Sequence, residues 1–312
     1  MTFHLPSARR EPTASSWALL ALLGLIWGSS FLGVEMSLID FKPITNAAIR
    51  VSLAAILLLA IALWTGHRLP GFATPTEKRI WLHCFGMGLF TNALPFSLLA
   101  WGQQQVTSSF AGVSMAVVPL LVLPLSHFLV PGERMTRAKV AGFAVGFVGV
   151  FLLVGGDSLL GGGGTTPRLF LAQIACVGAS CCYAIGSIVT RLCPPIPTQS
   201  FAAAGLLLGA AMLIPTALLF EGLPQTASLP AVAGVIYLAL FPTAAATILL
   251  TVLIKRAGPP FLSLVNYQVP VWAVIIGAVV LLEPLPGHFL MALLVILAGL
   301  ALSQFYDRWR NS

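Results

Sequence analysis

Ten stretches of mainly apolar residues, separated by short polar connections, account for most of this 312-residue chain. They run from about 17 to 36, 44 to 64, 80 to 101, 107 to 130, 138 to 154, 169 to 190, 200 to 220, 230 to 252, 261 to 282 and 288 to 305. About 20 such residues are what a helix needs to cross a bilayer core of about 30 Å. With 58% hydrophobic residues and only 8% charged, the chain has too few charges to cover a water-soluble surface. The expected fold class is therefore an all-α integral membrane protein of ten transmembrane helices, with the lipid bilayer as its solvent.

Charge placement gives the direction of threading. With the N-terminus in the cytoplasm, that side carries Arg9, Arg10, Arg68, Lys78, Arg79, Arg134, Arg137, Lys139, Arg191, Lys255, Arg256, Arg308 and Arg310, while the other keeps Lys42 and Arg168. This positive-inside bias predicts cytoplasmic N- and C-termini, which an even number of spans satisfies. A net charge of +7 therefore reflects orientation, and no nucleic-acid partner is expected. The stretch beginning at Trp17 is too long for a cleaved signal core and reads as a retained first span. Cys84, Cys176, Cys181, Cys182 and Cys193 have no spacing suited to zinc or a redox pair, so no metal and no cofactor are expected.

The two halves of the chain match each other. Trp27-Gly28 corresponds to Tyr183-Ala184, Leu94-Pro95 to Phe241-Pro242, Pro119 to Pro270, Glu133 to Glu283 and Gly149 to Gly299, at offsets of about 150 residues. The run Gly161-Gly162-Gly163-Gly164 falls between them and reads as a flexible linker. The expected organisation is a cytoplasmic tail (1–16), a first repeat (17–154), an external linker (155–168), a second repeat (169–305) and a cytoplasmic tail (306–312). Five spans is an odd number, so the second repeat is inverted relative to the first. Such pseudo-symmetry gives a chain two near-equivalent shapes around a midplane site, an arrangement suited to transport.

Trp27-Gly28-Ser29-Ser30-Phe31, Arg50, the segment from Thr107 to Gly112 leading to Pro119, and Pro131-Gly132-Glu133-Arg134 followed by Gly142, Gly146 and Gly149 carry a resemblance. From about residue 17 to 305 the chain resembles the drug/metabolite transporter superfamily, EamA type. The resemblance implies ten helices in two inverted five-helix repeats around a central cavity. It also implies alternating-access movement of small metabolites or drugs, usually outward, in a membrane such as the bacterial inner membrane. In the second half, Cys181-Cys182-Tyr183 departs from the Trp-Ala often found in such repeats.

Residue chemistry narrows the candidates. Trp27, Asn92, Ser114, Tyr183, Asn266 and Tyr267 are the substrate-cavity candidates, because aromatic, amide and hydroxyl groups at mid-depth either line a wet cavity or join helices. Pro95, Pro119, Pro242 and Pro270 are candidate kink or gating positions. The charged candidates are Arg50, His127, Glu133 and Glu283. Arg50, roughly 9 Å below the outer boundary at 1.5 Å per residue, reads equally as a snorkelling side chain or as one packed on a helix end or Glu35. His127 reads as a satisfied core residue before a proton relay. Glu35, Glu133, Glu221 and Glu283 read as interfacial or helix-terminal groups, and Trp101 and Gln103-Gln104-Gln105 as external interface.

No carboxylate falls near the midplane of any span, which removes the usual proton-antiport device. Little fixed charge favours a neutral, zwitterionic or amphipathic solute, with strong anions least favoured. The small-molecule partner is met by a monomer or a homodimer. A passive pore is the alternative to a carrier. An intramembrane enzyme ranks below both, because Ser114 and His127 lie about 20 Å apart on one helix. No Gly-x-Ser-x-Gly, Walker or His-Glu-x-x-His sequence occurs either.

Overall fold

The computed structural model describes residues 12–160, 166–224 and 226–310, so Arg9, Arg10, most of the 1–16 tail and the linker glycines 161–164 lie outside the described residues. Among the described residues, nine helices are long and apolar enough to span a bilayer: α1 (Ala14–Ser37), α2 (Pro43–Trp64), α3 (Pro75–Gln103), α4 (Ser108–Leu129), α5 (Arg137–Gly156), α6 (Pro167–Arg191), α7 (Thr198–Phe220), α8 (Leu229–Ala257) and α10 (Gly287–Gln304). α9 (Val265–Val280) is a shorter apolar helix. The chain is thus a ten-helix membrane protein, with a ninth span shorter than the 261 to 282 stretch of the sequence. A separate turn, Pro259–Leu262, takes the N-terminal part of that span. At the other end Leu282 takes a φ of 54°, and Pro284 and Pro286 follow it, so α9 stops.

Local chemistry explains the ends and bends. α2, α3 and α6 begin on prolines, whose missing N–H costs nothing in the first helical turn. Thr74 and Glu77 form a reciprocal capping box at the start of α3. In α1 the Ser29 hydroxyl donates to the carbonyl of Leu25 at 2.7 Å, where the helix is interrupted between Gly28 and Ser30. α4 passes through a 3₁₀ turn at Met115–Val117 just before Pro119. α3 contains a π-helical segment, Gly88–Ala93, just ahead of Pro95, and α8 contains another, Ala239–Ala245, around Pro242.

Small residues set the crossings. A Cβ at Gly142 of α5 would sit 2.5 Å from the carbonyl oxygen of Gly299 in α10, and one at Gly24 of α1 would sit 2.6 Å from Oε1 of Gln268 in α9. A Cβ at Gly205 of α7 would collide with Met87 Sδ of α3, and one at Gly209 would sit 3.3 Å from Gly88 O. These glycines therefore serve crossings within the bundle. On the outside, Ile56, Phe151 and Leu294 are 65%, 63% and 67% exposed, as side chains facing lipid must be.

Packing partners exchange consistently between halves. α1 packs on α8 and α9, while α6 packs on α3 and α4; α2 pairs with α7, and α5 with α10. Cross-half hydrogen bonds fix which helix ends share a face. Glu221, after α7, accepts from Ile44 N at 2.9 Å and Thr45 N at 2.7 Å, at the start of α2. Glu283, after α9, accepts from Ser108 N at 2.7 Å and Ser109 N at 3.0 Å, at the start of α4. Both carboxylates thus sit at the positive end of a helix dipole. Odd-numbered helices begin on one face of the bundle, and even-numbered helices begin on the other.

Candidate functional site

A cavity of about 500 Å³ lies in the middle of the bundle. That is ample for a small organic molecule. Both halves contribute to its wall: Trp27, Asn46, Arg50, Asn92, Phe96 and Gln103 from the first, and Tyr183, Ser187, Phe201, Thr243, Thr247 and Asn266 from the second. The two ends differ. Towards the face where even-numbered helices begin, the lining ends at Asn46 and Gln103, which are 2% and 4% exposed. Towards the face where odd-numbered helices begin, it runs down the last turns of α6 to Thr190 and to the exposed Thr198 at the start of α7.

Arg50 dominates the electrostatics of this space. It is 7% exposed, and no Asp, Glu, Lys or His appears among the cavity-lining residues. Its Nε donates to Thr243 Oγ1 at 2.9 Å, and its Cζ lies 3.7 Å from the centroid of the Phe96 ring, a close cation–π contact. The ion pairs found among the described residues are Lys139 with Glu133 and Arg191 with Glu133; Arg50 has no carboxylate partner. The Thr243 hydroxyl is itself oriented, donating to the carbonyl of Leu238 at 2.8 Å.

The aromatic and amide groups around Arg50 are tied to the bent parts of the helices. Trp27 Nε1 donates to the Pro242 carbonyl at 3.1 Å, inside the π segment of α8. Asn92 Nδ2 donates to the Met87 carbonyl at 3.3 Å, within the π segment of α3. Asn266 Nδ2 donates to Ser263 O at 3.0 Å. Tyr183 meets the edge of Phe96, with ring centroids 6.4 Å apart. Three lining residues, Asn46, Thr91 and Gln103, each carry a buried side-chain oxygen with no hydrogen-bond partner.

Of the cavity candidates, the structure brings Trp27, Asn92, Tyr183 and Asn266 together around one space and leaves Ser114 and Tyr267 outside it. Ser114 is fully buried; its hydroxyl donates to Ala111 O at 2.7 Å, and its carbonyl accepts from Ser180 Oγ at 2.7 Å. Tyr267, next in sequence to Asn266, packs on the main apolar core. Of the prolines, Pro242 lines the cavity, while Pro95, Pro119 and Pro270 act within their helices.

The structure departs from the sequence expectation at Arg50, His127 and Gln103. Arg50 neither snorkels to the surface nor pairs with Glu35; it turns inward to Thr243 and Phe96. His127 is exposed rather than a core residue, and its Nδ1 accepts from Met135 N at 3.4 Å. Glu133 accepts from Arg191 Nη2, which holds its carboxyl below the ordinary value of 4.5 despite some burial; Lys139 adds to the effect. Glu283 is a helix cap, with Ser109 Oγ donating to it as well. Gln103 is a cavity residue and not an interfacial one.

Asn46 and Gln103, absent from the cavity candidates, had a sequence signal. Asn46 and Arg50 are four residues apart on an otherwise apolar helix, so two costly groups share a face that lipid would reject. Asn92, Phe96, Leu99 and Gln103 follow spacings of four, three and four, which extends one face of α3 to its end.

The EamA-like transporter family model matches this sequence twice, over residues 15–155 and 170–305. The inner membrane transporter YedA of Escherichia coli (strain K12) is 29% identical over 262 residues, covering 83% of this chain and 80% of its own. The aromatic amino acid exporter YddG of Ancylobacter novellus is 26% identical over 296 residues, covering 94% and 99%. The protein PecM of Dickeya dadantii is 25% identical over 286 residues, covering 89% of each. A solved crystal structure superposes with a TM-score of 0.68 at 23% identity, over 96% of this chain and 99% of that one, a likeness of fold.

Proposed function

Because this chain belongs to the EamA-like transporter family, and is thus a membrane transporter rather than an enzyme, we propose that it exports small organic solutes by alternating access through the central cavity. The observation that carries the reading is a cavity built by both halves, accessible towards one face and sealed towards the other by Asn46 and Gln103. A passive pore would be open at both ends, so the same seal favours a carrier. Hydrogen bonds donated by the starts of α2 and α4 to Glu221 and Glu283, and by Ser228 N to Asp40, join the halves on the sealed side.

Two inverted repeats, 17–154 and 169–305, with 155–168 as external linker, underlie this reading. Its support is the double match to one family model, the paired π segments and the exchange of packing partners between halves. The positive-inside bias supports cytoplasmic termini, with the tails 1–16 and 306–312 on that side, and makes the accessible end of the cavity the cytoplasmic one. A solute entering there and leaving after closure behind it would move outward. The exporter name of the YddG relative supports that direction, and its aromatic amino acid substrate agrees with the aromatic wall of Trp27, Phe96 and Tyr183. The inner membrane named for YedA supports a bacterial cytoplasmic membrane.

The test is counterflow in proteoliposomes. Vesicles loaded with a high concentration of an aromatic amino acid should transiently accumulate the radiolabelled form from a dilute external pool, saturably. Flux that rises linearly with concentration and shows no overshoot would instead mean a pore.

A further inference from the structure

We infer that the cavity is an anion site: Arg50 receives the carboxylate of a small organic acid whose apolar body lies against the aromatic wall, and organic cations are excluded. This rests on the reading of the cavity as the solute path, and it goes against the sequence-level expectation that strong anions are least favoured.

The inference begins with an uncompensated charge. A guanidinium shielded from water and lipid is costly unless it meets an opposite charge. Arg50 has five N–H donors, and the protein acceptor it meets is one neutral hydroxyl, Thr243 Oγ1 at 2.9 Å. The Phe96 ring lies 3.7 Å from Cζ, and among the described residues the guanidinium's hydrogen bond to protein is made by Nε and not by either terminal nitrogen. A planar fork whose terminal nitrogens meet no such acceptor is suited to bidentate hydrogen bonding with a carboxylate. Asn46, one turn earlier on α2, lines the same cavity, and its side-chain NH2 is a further neutral donor on that face.

The rest of the wall defines the body of the ligand. Trp27, Phe31, Phe96, Tyr183 and Phe201 offer ring faces and edges to an apolar or aromatic group. No carboxylate lines the cavity, so an ammonium group would meet the field of Arg50 with nothing to offset it. This separates a monocarboxylate from an amine of the same size. It also ranks a plain acid above a zwitterion, whose ammonium must rely on neutral oxygens such as those of Thr91 and Gln103.

Three ligands of nearly equal shape decide the matter: 3-phenylpropionate, 3-phenylpropanol and 3-phenylpropylamine, titrated calorimetrically into the purified full-length protein in lipid nanodiscs at pH 7. The expected order is 3-phenylpropionate tightest, the alcohol at least tenfold weaker, and the amine without saturable binding. Arg50→Gln should weaken the acid at least tenfold and leave the alcohol within threefold. Arg50→Lys, which keeps the charge and loses the fork, should fall between. Retained alcohol binding establishes that each variant is folded; if Arg50→Gln does not fold, the lysine variant and the wild-type order decide alone. No saturable binding of 3-phenylpropionate, an amine that binds as tightly as the acid, or acid affinity unchanged in Arg50→Gln or Arg50→Lys would overturn the inference. Counterflow separates the two readings: a protein that exchanges amines or neutral solutes but not acids remains a carrier without the anion site. One that binds acids by Arg50 and exchanges nothing keeps the site and loses the transport reading.

Discussion

Arg50 rests on a sequence of small compensations that starts with a missing donor. Pro242 has no N–H for the carbonyl one turn back, the helix widens into a π segment there, and the Thr243 hydroxyl adds a bond to that Leu238 carbonyl at 2.8 Å. Having donated there, the same oxygen accepts from Arg50 Nε. Thr243→Val keeps the side-chain shape and removes both side-chain bonds, leaving the Arg50 Nε–H without its protein acceptor at a cost of about 1–3 kcal/mol. A lower melting temperature and weaker solute binding are expected together, with Thr243→Ser restoring most of both; a valine variant equal to wild type in both would contradict this arrangement. The spacing of four between Thr243, Thr247 and Thr251 suits side-chain bonds to the helix backbone, and Thr247 does donate to Thr243 O at 2.7 Å. It did not reveal the arginine, because that bond joins residues 193 positions apart. Trp27 and Tyr183 were legible because each marked the same place in its own half.

Helices in this bundle are finished by residues from the other half, a level of structure that composition cannot supply. Ten apolar stretches located the spans to within a few residues, but the short α9 was hidden, since residues 261 to 282 stay apolar through the irregular turn before Val265. Glu133 and Glu283 look alike in sequence yet differ in partner: Glu283 accepts at the start of α4, and Glu133 accepts from Arg191 at the end of α6. Removing a cap of the Glu283 kind costs about 0.5–2 kcal/mol. Glu283→Ala should therefore lower the melting temperature measurably, and Glu283→Gln should lie between, because an amide keeps one of the two accepting oxygens. An unchanged melting temperature for Glu283→Ala would mean that water replaces the cap without loss.

At the scale of the whole molecule, the arrangement of charge bears on how transport is driven. A proton-coupled carrier needs a group that exchanges a proton as the solute comes and goes, with burial bringing its pKa near the working pH. The cavity holds no carboxylate or histidine, and a guanidinium stays charged throughout the physiological range. Glu221 and Glu283 are engaged in helix caps, Glu133 in ion pairs, His127 is exposed at the end of α4, and Glu35 lies outside the cavity lining. The sequence anticipated this much, since an absent midplane carboxylate is visible in any span. It could not reveal that the charge left in the cavity is positive, because that depends on which face of α2 turns inward. Exchange of a labelled solute between liposomes and medium at equal pH should therefore proceed without a proton gradient. Single neutral substitutions of Glu35, Glu133, Glu221, Glu283 and His127 should each retain exchange, with any losses tracking the amount of folded protein. The comparison is initial counterflow rate per correctly inserted molecule, wild type against the five variants. If one variant were folded and inserted yet exchanged nothing, that residue would be an essential titrating group, and the uncoupled mechanism would be wrong.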